Sequence, residues 1–243
     1  MTINQGSAAT IATPAVAARK PAADSARARR MLTVPGVVGI GYSLSWIAGL
    51  SVPAPSPKFS ASGSQIITAL AGHGPAVALQ FALTEGLPAA GIAVTSIALV
   101  RATRSQATRS QAGLSRLMLI TGGIAAVISF LQFVVGMTLA VTTNPATTHP
   151  ATAHLLYSAI DRMDGVKMLT LAVLGVAGAA ATVLPRWLRY TGAALGVAIA
   201  AAGIVYLLLL QSLTVAAGPA LVLLLVFITG SGLVLGTKDT KER

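Results

Sequence analysis

The sequence predicts an all-α protein, a polytopic transmembrane bundle of about six helices with both termini in the cytoplasm. The chain of 243 residues is 54% hydrophobic and only 9% charged, which is far more apolar than an ordinary soluble domain. Its apolar residues also gather into runs of about 20 residues, the length that crosses a bilayer. These runs cover residues 34–52, 76–100, 117–142, 165–184, 190–213 and 219–236.

Nearly all of the basic residues lie between these runs, and most of them gather on one side of the predicted membrane. That side carries Arg19, Lys20, Arg27, Arg29, Arg30, Arg101, Arg104, Arg109, Arg116, Arg186, Arg189, Lys238, Lys241 and Arg243. The other side carries only Lys58, Arg162 and Lys167. The positive-inside rule makes the first side cytoplasmic and predicts a multi-pass protein of the cell membrane. The net charge of +11 then faces membrane lipid rather than nucleic acid, since no recognition motif accompanies it.

The chain divides into three parts. Residues 1–33 are rich in Ala, Ser, Thr and Pro without apolar periodicity, which predicts a disordered basic cytoplasmic arm. This arm is a candidate docking site for a cytoplasmic protein partner. Residues 34–236 form the six-span domain, and residues 237–243 form a cytoplasmic tail.

Small residues recur at intervals of four in two spans. They are Gly41, Ser45 and Gly49 in the first span, and Gly192, Gly196 and Ala200 in the fifth. Such stripes let helix backbones approach closely in lipid. They predict close packing within one bundle, with a homodimer interface as the alternative.

Neither a metal nor a bound cofactor is expected. The chain has no cysteine, which excludes disulfides and thiolate ligands. His149 and His154 are five residues apart, which is not the spacing that places two ligands on one helix face. No phosphate-binding glycine loop or hydrolase nucleophile motif occurs.

Glu85 is the most informative single residue, because it is an acid inside a predicted span. It lies about 13 Å below the non-cytoplasmic end of the second span. A carboxylate at such depth costs at least ~2.5 kcal/mol and normally faces a cavity or a partner. Burial without a cation favours the neutral form, so Glu85 is expected to be a protonated carboxyl and a candidate proton donor. The alternative is a neutral structural residue bonded to a neighbouring helix.

Two neighbours extend the prediction for Glu85. Thr84 is a candidate hydrogen-bond partner. Pro88 lacks an N–H, so it frees the carbonyl of Thr84 and is expected to kink the helix beside a cavity.

Asp161, Asp164 and Lys167 form a second group of charged residues. They follow one another at steps of three at the mouth of the fourth span, hence on nearly one helical face. Acids at a helix N-terminus are stabilised by the helix dipole, so capping and salt bridges account for them. The alternative is that Asp161 and Asp164 roof the cavity of Glu85 and take part in its chemistry.

Aromatic and amide side chains at membrane depth are the candidates for ligand binding. They are Tyr42, Trp46, Phe81, Phe130, Gln132 and Phe133, and Gln211 is a further polar group. Aromatic faces around a buried acid attract cations. Core packing is the alternative.

The segment Asp161–Met168, followed by residues 184–188, resembles uncharacterised multi-span membrane proteins of actinobacteria, a resemblance that implies no activity. The size, the spans and the buried acid also resemble those of small integral-membrane terpene cyclases. The second resemblance implies proton-initiated cyclisation of a lipophilic isoprenoid, with Glu85 as the proton donor.

Three functions therefore stay open. The first is the terpene cyclase-like enzyme. The second is a non-catalytic accessory or regulatory membrane protein. The third is a small proton-coupled transporter with Glu85 as the proton carrier, although the chain shows no internal repeat of the kind that many transporters carry.

Overall fold

The computed structural model describes residues 31–105 and 109–238. The predicted cytoplasmic arm up to residue 30 and the predicted tail from residue 239 lie outside these ranges. Within these ranges the chain folds into a helical bundle. Its helices are α1 (Val34–Leu50), α2 (Gly63–Leu70), α3 (Gly74–Phe81), α4 (Leu87–Arg104), α5 (Arg109–Thr142), α6 (Pro150–Ala180), α7 (Arg186–Leu207) and α8 (Ala217–Gly236). A π-helical turn, Ala82–Gly86, joins α3 to α4, and a 3-10 segment, Gln211–Ala216, precedes α8.

Five of these segments are long and apolar enough to cross a membrane. They are Gly74–Arg104, Gln111–Thr142, Pro150–Ala180, Arg186–Leu207 and Ala217–Gly236. The 17-residue α1 is a shorter apolar helix and would span about 26 Å. The predicted all-α, multi-span bundle is confirmed, and its apolar helices imply contact with membrane lipid.

Both ends of the described chain meet at one end of the bundle. A two-residue strand β1 (Met31–Leu32) pairs antiparallel with β2 (Thr237–Lys238), and both the N–H and the hydroxyl of Thr33 donate to the carbonyl of Gly236 at 2.8 Å. We call this the basic end; it also holds the end of α4 at Arg104, the start of α5 at Arg109 and the connection at residues 181–185. The far end holds residues 51–73, 143–149 and 208–216. The chain therefore passes along the bundle an even number of times between β1 and β2, whereas six membrane crossings and the cytoplasmic location of the basic end stay predictions.

Glycines set the closest helix contacts. Gly192 of α7 faces Gly175 of α6, where a Cβ on Gly192 would lie 2.7 Å from the Gly175 carbonyl oxygen. The predicted stripe of the fifth span therefore packs inside the bundle. The prediction of close packing along the stripe of the first span is only partly correct. Gly49 packs on Leu83 and Thr84, but nothing lies within 4 Å of a Cβ on Gly41.

The fourth and fifth spans differ from their predicted limits. The fourth crossing is one continuous helix from Pro150 rather than a span that begins at residue 165. The fifth ends at Leu207 rather than residue 213, since Leu209 adopts a left-handed φ of 52°. Both differences change the site. Asp161, Asp164 and Lys167 lie in the interior of a helix rather than at its mouth, and Gln211 lies at the far end rather than within the fifth span.

Candidate functional site

The second crossing is interrupted at Glu85 by a π-helical turn. The N–H of Leu87 donates to the carbonyl of Ala82, five residues back, so the carbonyl of Leu83 loses its usual helical donor. Ser45 of α1 replaces that donor with its hydroxyl. Pro88 brings no N–H to the next position. The predicted irregularity is present as a π turn, a feature that recurs at functional sites.

The carboxylate of Glu85 is ion-paired across the bundle. Nζ of Lys167, on α6, lies 2.7 Å from both Oε1 and Oε2 of Glu85. The same Nζ lies 2.7 Å from Oδ1 of Asp164, one helical turn earlier on α6. The hydroxyl of Ser129, on α5, donates to Oε2 of Glu85 at 2.5 Å. We call Glu85, Lys167, Asp164 and Ser129 the ionic network.

Burial makes this pairing necessary. Lys167 is 4% exposed and Glu85 is 5% exposed, so neither charge is solvated by bulk water. An isolated charge at membrane depth is costly, and such groups persist when they pair with one another. Lys167 therefore joins α6 to the π turn of the second crossing.

Three predictions about this region are wrong. Glu85 is not an acid without a basic neighbour, because Lys167 bonds both of its oxygens. Thr84 does not bond Glu85; its hydroxyl donates to the carbonyl of Gln80 at 2.9 Å. Asp161 and Asp164 do not cap a helix, because α6 begins at Pro150, 11 and 14 positions earlier. The alternative prediction, that they border the cavity of Glu85, describes their position.

A cavity of about 360 Å³ connects the ionic network to the far end. We call it the far-end cavity. Glu85, Asp164 and Asp161 lie along its wall with Gln132 and Thr84. Its other lining residues include Trp46, Gln80, Phe81, Lys58, Tyr157, Ile160, Tyr206 and Gln211.

A segment between α1 and α2 covers this cavity, and we call residues 53–61 the roof segment. Tyr157 donates its hydroxyl to the carbonyl of Pro57 at 2.8 Å. The N–H of Phe59 donates to Oε1 of Gln211 at 2.8 Å. The ring of Phe59 meets that of Tyr206 edge-on, with centroids 5.2 Å apart. The roof is thus fastened to α6, α7 and the 3-10 segment by specific contacts.

Two acceptors in the cavity wall have no hydrogen-bond partner in the described part of the chain. They are Oδ2 of Asp161 and Oε1 of Gln132. The amide nitrogen of Gln132 is used, since it donates to the carbonyl of Ile160 at 3.1 Å. Asp161 is 8% exposed and Gln132 is 1% exposed. Buried acceptors without partners are uncommon and normally indicate a water, an ion or a ligand.

The predicted ligand-binding residues separate into two sets. Trp46, Phe81 and Gln132 line the far-end cavity. Tyr42 is buried in the helix core beside Gly91. The structure does not bring the other two aromatics to the cavity: Phe130 is 54% exposed on the bundle surface, and the ring of Phe133 packs on Gly86.

A second cavity lies on the other side of the ionic network. It has a volume of about 240 Å³ and a mainly apolar wall that includes Leu171, Ile199 and Leu224. Four residues line both cavities and form the partition between them: Trp46, Leu50, Asp164 and Tyr206. Lys167 borders this apolar cavity.

Sequence reasoning missed Lys167 as the partner of Glu85. The residue lies inside the run 165–184 that was predicted to be a span, so a buried cation was present in the pattern. Lys167 was instead placed with Asp161 and Asp164 at the mouth of that span. A lone acid in one span and a lone lysine in another are the signal that could have paired them.

Within the described ranges, no group of three or more His, Cys, Asp or Glu side chains is arranged to hold a metal ion. Comparisons of the chain with protein-family models, with curated proteins and with solved structures find no match. The fold and the site therefore define only the class of protein: a multi-span helical membrane protein with a buried ionic network beneath a cavity.

Proposed function

We propose that this protein is a small proton-coupled transporter that admits a solute through the far-end cavity. One observation carries the proposal: a single buried lysine is shared by two carboxylates directly beneath that cavity. Ionisable residues inside a membrane bundle typically mark solute or proton pathways.

The ionic network offers a physical means of coupling. Glu85 and Asp164 share one positive charge, that of Lys167. A proton taken up by either carboxylate weakens its attraction to the lysine, and a cationic solute near Asp164 competes with the lysine for the same oxygens. Proton and solute therefore act on one set of contacts, which is the requirement for coupling.

The π turn supports the same function. Transporter sites commonly use interrupted helices whose freed backbone groups line a cavity. Here the interruption falls at Glu85 itself, and the freed carbonyl of Leu83 accepts a replaceable hydroxyl bond from Ser45. Rearrangement of this turn would move Glu85 relative to Lys167 without breaking the helices on either side.

Proteoliposomes that contain a pH-sensitive dye test the proposal. The solutes should be guanidinium and methylguanidinium, because they remain charged and do not cross lipid as neutral bases. We expect protein-dependent proton movement when one of these cations is added on the far side. Empty liposomes and liposomes that carry Glu85→Gln, which keeps Lys167 paired with Asp164, provide the controls. Absence of protein-dependent proton movement with every solute would overturn the transporter proposal and favour the accessory-protein alternative.

The terpene cyclase-like alternative has lost its main premises. It required a neutral Glu85 in an interior without lysine, whereas Glu85 is bonded to Lys167. The apolar cavity beside Asp164 is the remaining observation that favours a lipophilic ligand. Co-expression with prenyl-transfer enzymes in deuterated water tests this alternative: a new cyclic lipid that carries one deuterium would support it.

A further inference from the structure

We propose that the far-end cavity binds a small organic cation that carries N–H donors, with Asp161 and Gln132 as the acceptors. The inference names a ligand class for the same cavity and so rests on the proposed function. Binding is measured in detergent and transport in liposomes, however, so a failure of one proposal can be distinguished from a failure of the other.

The unpartnered acceptors give the first argument. Oδ2 of Asp161 and Oε1 of Gln132 are buried in the cavity wall, and neither has a hydrogen-bond partner among the described residues. A buried acceptor without a donor destabilises the protein, because it has lost its hydrogen bonds to water and gained none in return. The amide oxygen of Gln132 accepts only, and the carboxyl of Asp161 accepts through both oxygens in its ionised form, so a ligand that satisfies both in that form must donate hydrogen bonds.

The balance of charge gives the second argument. Lys167 is engaged by Glu85 and Asp164. Within the described ranges, no basic side chain lies within ion-pair distance of Asp161. Lys58 lines the cavity at its rim but is solvent-exposed. Among the described residues, the carboxyl of Asp161 therefore has no cation beside it, and a positively charged ligand would stabilise its ionised form, whereas a neutral or anionic ligand would not.

The wall of the cavity gives the third argument. Trp46, Phe81 and Tyr157 line it together with Asp161. Aromatic faces attract ammonium and guanidinium groups and pack against apolar substituents. A volume of about 360 Å³ is at the lower end of the range for small-molecule sites. An amine with a compact aromatic or aliphatic substituent fits these properties.

Three probes that share one scaffold separate charge from hydrogen bonding. They are phenethylammonium, its N,N,N-trimethyl form, which keeps the charge but has no N–H donor, and phenylacetate, which has the opposite charge. Each is titrated into the purified full-length protein in detergent, and thermal stabilisation and calorimetry are recorded. We expect saturable binding of phenethylammonium, at least about tenfold weaker binding of the trimethyl form, and no saturable binding of phenylacetate.

Variants assign the contacts. Asp161→Asn removes the charge while nearly keeping the shape, and Gln132→Met removes the acceptor. Each should weaken phenethylammonium binding by at least about tenfold. Arg162→Gln is the matched control, because Arg162 adjoins Asp161 but is exposed and does not line the cavity. The Arg162→Gln protein should bind phenethylammonium as tightly as the unaltered protein does.

The order of the three probes on the unaltered protein decides the inference even if a variant fails to fold. Equal binding of phenylacetate, or no saturable binding of phenethylammonium, would overturn it. Binding in the expected order without proton movement in liposomes would leave the ligand site standing and refute transport. Full affinity in a folded Asp161→Asn protein would show that Asp161 is not the acceptor.

Discussion

Nζ of Lys167 lies 2.7 Å from both carboxylate oxygens of Glu85, although the two residues are 82 positions apart in the chain. The contact joins α6 to the π turn of the second crossing. It also explains how a glutamate persists at membrane depth, since the cost of burying each charge is offset by the other.

Loss of Lys167 should destabilise the protein far more than loss of Glu85. Lys167→Met leaves the buried carboxylate of Glu85 and the partly buried carboxylate of Asp164 without a cation and should cost about 3–5 kcal/mol. Glu85→Gln leaves Lys167 paired with Asp164 and should cost clearly less. Thermal unfolding in detergent measures the order of stability of the two variants. The double variant Lys167→Met/Glu85→Gln should be more stable than Lys167→Met alone. The reverse order would contradict the shared-lysine arrangement.

Ser129 should contribute through its bond to a charged group. Ser129→Ala removes the hydroxyl that donates to Glu85, and hydrogen bonds to charged groups contribute about 1.5–3 kcal/mol. Thr138→Ala is the control on the same helix, because the hydroxyl of Thr138 is exposed and bonds only its own helix, at the carbonyl of Val134. Equal stability of the two variants in unfolding experiments would show that the Ser129 contact is unimportant.

Close helix packing gives a third prediction. Gly192→Ala places a methyl group 2.7 Å from the carbonyl oxygen of Gly175 and should cost about 1–3 kcal/mol through overpacking. Gly41→Ala adds the same methyl group where nothing lies within 4 Å, so its stability should be unchanged or slightly increased. A tolerated Gly192→Ala would place the α6–α7 contact further apart than described.

The orientation of the bundle can be tested because the chain has no native cysteine. We expect Asn144→Cys, at the far end, to react with an impermeant thiol reagent on intact cells. Ser105→Cys, at the basic end, should react only after permeabilisation, as the positive-inside rule requires. The opposite pattern would reverse the predicted topology while leaving the fold unaffected.

The bundle was predictable from the sequence because apolar runs of membrane length leave few other folds. The helix limits at the far end were not predictable from the sequence. The helix α6 begins at Pro150, before the membrane-length run, and its first turns contact the roof segment. Hydropathy therefore began the fourth span at residue 165 and left out Asp161 and Asp164, which the structure places within α6.

The site was predictable in part. Glu85 was identifiable from its depth, and the break beside Pro88 from proline chemistry. The pairing with Lys167 depends on the relative rotation of two helices, which periodicity in a single sequence does not fix. The same limit applies to Phe130, which is 54% exposed on the surface of the bundle rather than in the cavity.

The central claim is that water and solutes reach the ionic network through the far-end cavity. Gln80 lines this cavity, whereas its neighbour Leu79 is 51% exposed on the outer surface of the bundle, where lipid would cover it. A thiol reacts as its thiolate, which forms in water and not in lipid. Labelling of Gln80→Cys and Leu79→Cys by a small, impermeant methanethiosulfonate is therefore the most direct measurement. We expect Gln80→Cys to react and Leu79→Cys to stay unlabelled; an unreactive Gln80→Cys beside a reactive Leu79→Cys would contradict the cavity.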